Sequence, residues 1–111
     1  MSRTLPFSLR AALAEYASRL RGIFGDRLSD VRLFGSFARG EADEDSDVDV
    51  LVLVDGLTDL ELGLAAGEVA AVITKTGLPL APLPMATERL AELRKQRRAL
   101  ALAIDEEGIS L

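Results

Sequence analysis

Val50-Leu51-Val52-Leu53-Val54 is an unbroken run of valine and leucine closing a segment that opens Asp47-Val48-Asp49. A strand of that composition suits a position covered on both faces. Such a strand needs apolar layers above and below it, so the rest of the chain has to supply helices for a small sheet.

The flanking segments meet that demand. Leu9, Leu13, Tyr16, Leu20 and Ile23 or Phe24 recur at helical spacing and predict an amphipathic helix over residues 8–24, with Ser8 as its N-cap and Gly25 as its stop. Val31–Phe34 is short and β-prone and runs into a Gly-Ser turn. Thr58 and Glu61 form a T-x-x-E capping box for a helix that ends at Gly77. Leu78–Met85 reads as a third strand that Pro79, Pro82 and Pro84 confine to a sheet edge. Thr87 caps a last helical region in two pieces that reaches Gly108, and Ile109–Leu111 form a tail. The expected fold class is α/β (α+β), a small mixed β-sheet flanked by helices, with residues 1–111 as one domain.

Composition narrows the chemistry. With no cysteine, thiolate nucleophiles, disulfides and Cys-type zinc sites are excluded, and with no histidine, imidazole bases and His-bound metals go too. Lys75 and Lys95 are the two lysines and neither follows a glycine, so there is no Walker-type phosphate loop. What remains is carboxylates, hydroxyls, arginines and a metal held by oxygen. A net charge of −5 makes a poor non-specific nucleic-acid binder. No apolar run approaches the ~20 residues of a membrane span. The opening residues lack the apolar core of a signal peptide, so a cytoplasmic address is expected.

The chemistry concentrates in Gly35–Val50, G-S-F-A-R-G-E-A-D-E-D-S-D-V-D-V. Asp47 and Asp49, two apart at a strand start, share a face with Cα atoms ~6.7 Å apart, and both can reach one hard cation or a close pair. Gly35 lets backbone approach a ligand, Ser36 offers a hydroxyl and an N–H at the start of a helical turn, and Arg39 brings a fork that fits phosphate. Arg39 has an equally good alternative, an ion pair with the acidic loop. Glu41, Asp43, Glu44 and Asp45 read as a solvated loop. Metal plus triphosphate is the economical interpretation of the set.

The order strand, G-S-x-A-R-G, short spacer, S-D-x-D-hydrophobic resembles the signature of the minimal nucleotidyltransferases, the small branch of the DNA polymerase beta-like nucleotidyltransferase superfamily. The resemblance implies that Gly35 and Ser36 hold the terminal phosphates of a nucleoside triphosphate such as ATP, with Arg39 as an accessory. It implies that Asp47 and Asp49 bind Mg²⁺, while an acceptor hydroxyl attacks the α-phosphate and pyrophosphate leaves. Two metals ~3.5–4 Å apart would clamp the reacting oxygens. It further implies a HEPN-domain protein as partner in a toxin–antitoxin pair, with this chain as antitoxin, because 111 residues leave no room for an acceptor-binding domain. Self-association is left open.

The pattern departs in one place. Active members carry a third carboxylate on the next core strand, and Gly77–Met85 contains no acid. Glu88 falls in a helix first turn, where an acid is expected for dipole reasons, and Asp55 sits at the far end of the second strand. The departure favours the alternative of a catalytically degenerate binding module. Arg94, Lys95, Arg97 and Arg98 read as a solvated face before a docking face. Leu62, Val69, Val72, Ile73, Leu90, Leu93, Leu100 and Ile104 are expected in the core.

Overall fold

The computed structural model of the chain describes residues 7–42 and 46–111. Helix α1 (Phe7–Phe24) leads through a 3₁₀ turn (Gly25–Arg27) into strand β1 (Leu28–Phe34), followed by a single helical turn α2 (Ser36–Arg39). Strand β2 (Val48–Val54), helix α3 (Asp59–Thr76) and strand β3 (Leu80–Ala86) come next. Helices α4 (Thr87–Lys95) and α5 (Ala99–Glu107) and the short strand β4 (Ile109–Ser110) complete the order.

The sheet runs β3-β2-β1-β4 and is mixed. β1 lies antiparallel to β2 and to β4, while β2 and β3 are parallel from Val48↔Leu80 to Val54↔Ala86. The valine and leucine run therefore occupies an inner strand, and alternation sends its side chains to two separate cores. Val48, Val50, Val52 and Val54 pack with α1 and α3, whereas Leu51 and Leu53 pack with Met85, Leu90, Leu93 and Ile104 on the α4–α5 side. Two helical layers around one sheet are what that run demanded.

Most element signals act as their chemistry suggests. Thr58 accepts from the Glu61 N–H and the Glu61 side chain accepts from the Thr58 N–H, which closes the capping box. Gly77 ends α3 in the left-handed conformation at φ 72°. Pro82 and Pro84 lie on the edge strand at the same parity, so their missing donors fall along one side and parallel pairing to β2 survives.

Several expectations are corrected. Ser8 is already helical, because α1 includes Phe7. β1 begins at Leu28, well before Val31, and β2 begins at Val48, which leaves Asp47 just outside the strand. Thr87 is the first residue of α4 and its hydroxyl donates to Asp55 instead of capping the helix, the N-cap being Ala86. Ile109–Ser110 is no free tail but pairs with Leu33 and Arg32. Gly108 has φ −66°, and a Cβ there would strike the Arg32 side chain, so the glycine makes room for a neighbour. Leu62 and Leu100 are exposed, whereas Val69, Val72, Leu90, Leu93 and Ile104 are buried and Ile73 is partly so.

Candidate active site

The antiparallel register sets Phe34 opposite Asp49, so the turn leaving β1 and the residues entering β2 arrive at one end of the sheet. Gly35 turns the chain there at φ 77°, a conformation that a side chain disfavours. A Cβ on Gly35 would collide with the Asp49 carboxylate. Glycine is thus required twice, once by the backbone and once by the acid packed against it.

Ser36 opens α2, whose single turn is closed by the Arg39 N–H donating to the Gly35 carbonyl at 3.1 Å. Buried Ala38 and half-buried Phe37 anchor this turn to the α1–α3 core. The first N–H groups of a helical turn have no acceptor within it and are available to an anion. The chain then reverses at Gly40, with φ 75°.

Asp49 shares its sheet face with Leu51 and Leu53, but it lies where the α4–α5 cover runs out. Asp49 is half-buried and Asp47, two residues earlier, is exposed. Burial pushes the Asp49 carboxyl above the usual range, the Asp47 charge pushes it the same way, and Arg39 opposes both. A hard divalent cation removes that repulsion, and two carboxylates with phosphate oxygens are a suitable donor set for it. The residues present therefore fit a divalent metal, which Asp47 and Asp49 could hold between them.

Arg39 contributes to the field at Asp49, and its Nε donates to Glu41 at 3.0 Å. The acidic-loop partner is thus realised in part. Asp43, Glu44 and Asp45 of that loop lie outside the described residues. The β2–β3 register sets Ala81 beside Asp49, so the neighbouring position on the next strand carries a methyl group. Among the described residues no group of three or more acids is placed to hold a metal. Glu88 and Asp55 sit at the opposite end of the sheet, where Glu88 accepts from the Gly56 N–H and Asp55 from Thr87. Of the basic cluster, Arg94 is engaged by Asp105 through two hydrogen bonds of 2.9 and 2.7 Å that tie α4 to α5.

Sequence reasoning did not show that Asp49 packs under Gly35. The signal was present in the two lengths involved, a strand ending at the glycine and a strand opening at the acids. Pairing these antiparallel brings the two together.

The nucleotidyltransferase domain family matches residues 13–104. A solved protein provisionally named a minimal nucleotidyltransferase is 30% identical, with a TM-score of 0.63, and the alignment covers 100% of both chains. The chain belongs to the minimal nucleotidyltransferases, within the DNA polymerase beta-like nucleotidyltransferase superfamily. The protein adenylyltransferase MntA of Thermococcus cleftensis is 48% identical over 44 residues, which is 40% of this chain and 42% of that one. A provisionally named protein adenylyltransferase of Methanocaldococcus jannaschii is 47% identical over 49 residues, 44% of this chain and 50% of its own. The matched segments thus span half or less of these curated relatives. A toxin–antitoxin crystal structure with AMP-PNP shares the fold at 20% identity and a TM-score of 0.56, over 86% of this chain and 69% of that one. No described helix is long and apolar enough to cross a membrane.

Proposed function

We propose that the chain binds a nucleoside triphosphate, ATP by preference, with Mg²⁺, and transfers its nucleoside monophosphate to a hydroxyl of a protein partner. The observation that carries this reading is the contact between the Gly35 turn and the Asp49 carboxylate at one end of the sheet. An anion cradle and a cation site need to be adjacent for a metal–triphosphate, and the packing of Asp49 against Gly35 supports that reading. Gly35 and the first turn of α2 would bind the terminal phosphates through N–H groups, with Ser36 as the leading residue. Arg39 would exchange part of its pairing with Glu41 for phosphate oxygens. Mg²⁺, held by Asp47 and Asp49, would stabilise charge on the phosphates.

In the transfer the acceptor oxygen forms a bond to the α-phosphorus while the bond to the bridging α–β oxygen breaks. Pyrophosphate leaves, and the hydroxyl proton passes to solvent. The name of the adenylyltransferase relative supports a protein acceptor and an adenylyl group. We further infer a cytoplasmic role as antitoxin to a HEPN-type toxin, which would supply that acceptor. Incubation of the toxin with this chain, Mg²⁺ and ATP should add adenylyl mass to it by mass spectrometry, and Asp47→Asn should abolish the addition.

The second reading, a module that neutralises its partner by contact alone, is favoured by the methyl group of Ala81 beside Asp49. Neutralisation by Asp47→Asn as efficient as by the unaltered chain would select it.

A further inference from the structure

Arg10 and Arg21 of α1 make no ion pair among the described residues, in a chain of net charge −5. Glu15, the acid within α1, and Glu68 of the neighbouring α3 are engaged elsewhere. Glu15 pairs with Lys75 at 2.6 Å, and Glu68 of α3 pairs with Arg19 at 2.8 Å. Arg10 and Arg21 instead border a groove of about 340 Å³ between α1 and the C-terminal tail. Leu13, Ala14 and Ala17 form one wall and Ile109 and Leu111 the other.

The stripe Arg10, Ala14, Ala17, Arg21 follows helical spacing, so the two guanidinium groups stand roughly 16 Å apart along the axis at ~1.5 Å per residue. The two alanines between them leave space for another helix to approach closely. A helix lying alongside has the same rise, so acids eleven positions apart on it meet both arginines, and leucines between them enter the groove. We propose that this groove docks an acidic amphipathic helix of a protein partner. A second copy of this chain does not supply one. The described helices place acids at 15 in α1, at 59, 61 and 68 in α3, at 88 and 92 in α4 and at 105 to 107 in α5, none of them eleven apart within a helix.

Ile109, in the groove wall, pairs with Leu33, two residues before Gly35, so one wall of the groove lies against the strand that leads into the candidate active site. The inference stands on the groove and its arginines, whether or not the site transfers nucleotides.

The test is fluorescence anisotropy with a labelled helical peptide bearing two glutamates at the Arg10–Arg21 spacing and leucines between them. We expect saturable, salt-sensitive binding, and none by the same peptide with lysines for glutamates. Arg10→Glu with Arg21→Glu should weaken binding by about 10-fold or more, since both charge contacts turn repulsive. Ala14→Trp, at an exposed position, should block the groove with the charges intact. Circular dichroism checks that both variants remain folded. Absence of binding to the unaltered chain, equal binding of the lysine peptide, or indifference to both variants overturns the proposal. Arginine-dependent co-sedimentation with phosphatidylglycerol vesicles in place of peptide binding would overturn it too, assigning the groove to a membrane surface.

Discussion

Gly35 shows how one residue can set both the local fold and the geometry of a candidate site. Its φ of 77° and the Asp49 carboxylate against it leave no room for a methyl group. Gly35→Ala should cost roughly 1–2 kcal/mol of stability, measured by urea unfolding, through the left-handed backbone alone. It should also displace Asp49 and so remove nucleotide binding. Asp49 gives a prediction of opposite sign for stability. Its carboxyl titrates above the usual range because burial and then Asp47 disfavour the charge. A folded-state pKa above the unfolded one means that stability is gained as pH falls through it and is diminished at neutral pH. Asp49→Asn should therefore raise Tm in metal-free buffer at neutral pH while abolishing divalent-dependent binding. A lowered Tm would show that the carboxylate is satisfied without a cation. The residue types of this site were legible in the sequence because glycine turns and paired acids have narrow chemistry. The engagement of Arg39 by Glu41 was an even alternative, since neither residue alone reveals which partner the folded loop offers.

At the scale of elements, local signals were legible and tertiary ones were not. The Thr58–Glu61 box and Gly77 act through backbone groups within a few residues, so sequence carries them completely. Thr58→Ala should destabilise by about 1 kcal/mol in urea unfolding. Glu61 is pushed down to about 2, first by its hydrogen bonds to Arg27 and then by the Thr58 N–H. A depressed carboxyl contributes stability above its ordinary value near 4.5, and that contribution is lost as pH falls toward about 2. The loss should be smaller in Arg27→Met, measured as the change in Tm between pH 5 and the acid limit of folding; an unchanged acid dependence would count against the pair. β4, by contrast, is too short to signal itself and forms because Arg32 and Leu33 are there to pair with it. Leu62 and Leu100 match the helical pattern of core residues yet are exposed, each lying in the first turn of its helix.

In the whole molecule, the sheet separates two apolar cores. Helices α1 and α3 are bound to each other on one side, with the Tyr16 hydroxyl donating to the Ala65 carbonyl at 2.6 Å in the buried layer. Tyr16→Phe should cost on the order of 1 kcal/mol in chemical unfolding without altering nucleotide binding, since the site lies at the sheet end. The layered fold was legible from one valine and leucine run, because a strand covered twice leaves few architectures open. The β2–β3 register that sets Ala81 beside Asp49 is a tertiary feature that a layer pattern does not encode.

The central claim is that the Gly35 turn and the paired acids together form a metal–triphosphate site. Calorimetric titration of ATP and the other nucleoside triphosphates, with and without Mg²⁺, on the unaltered chain and on Asp47→Asn tests it most directly. We expect Mg²⁺-dependent binding that the substitution removes. Binding that persists without Mg²⁺ or survives Asp47→Asn, or no binding either to the isolated chain or to its complex with the partner, would contradict it.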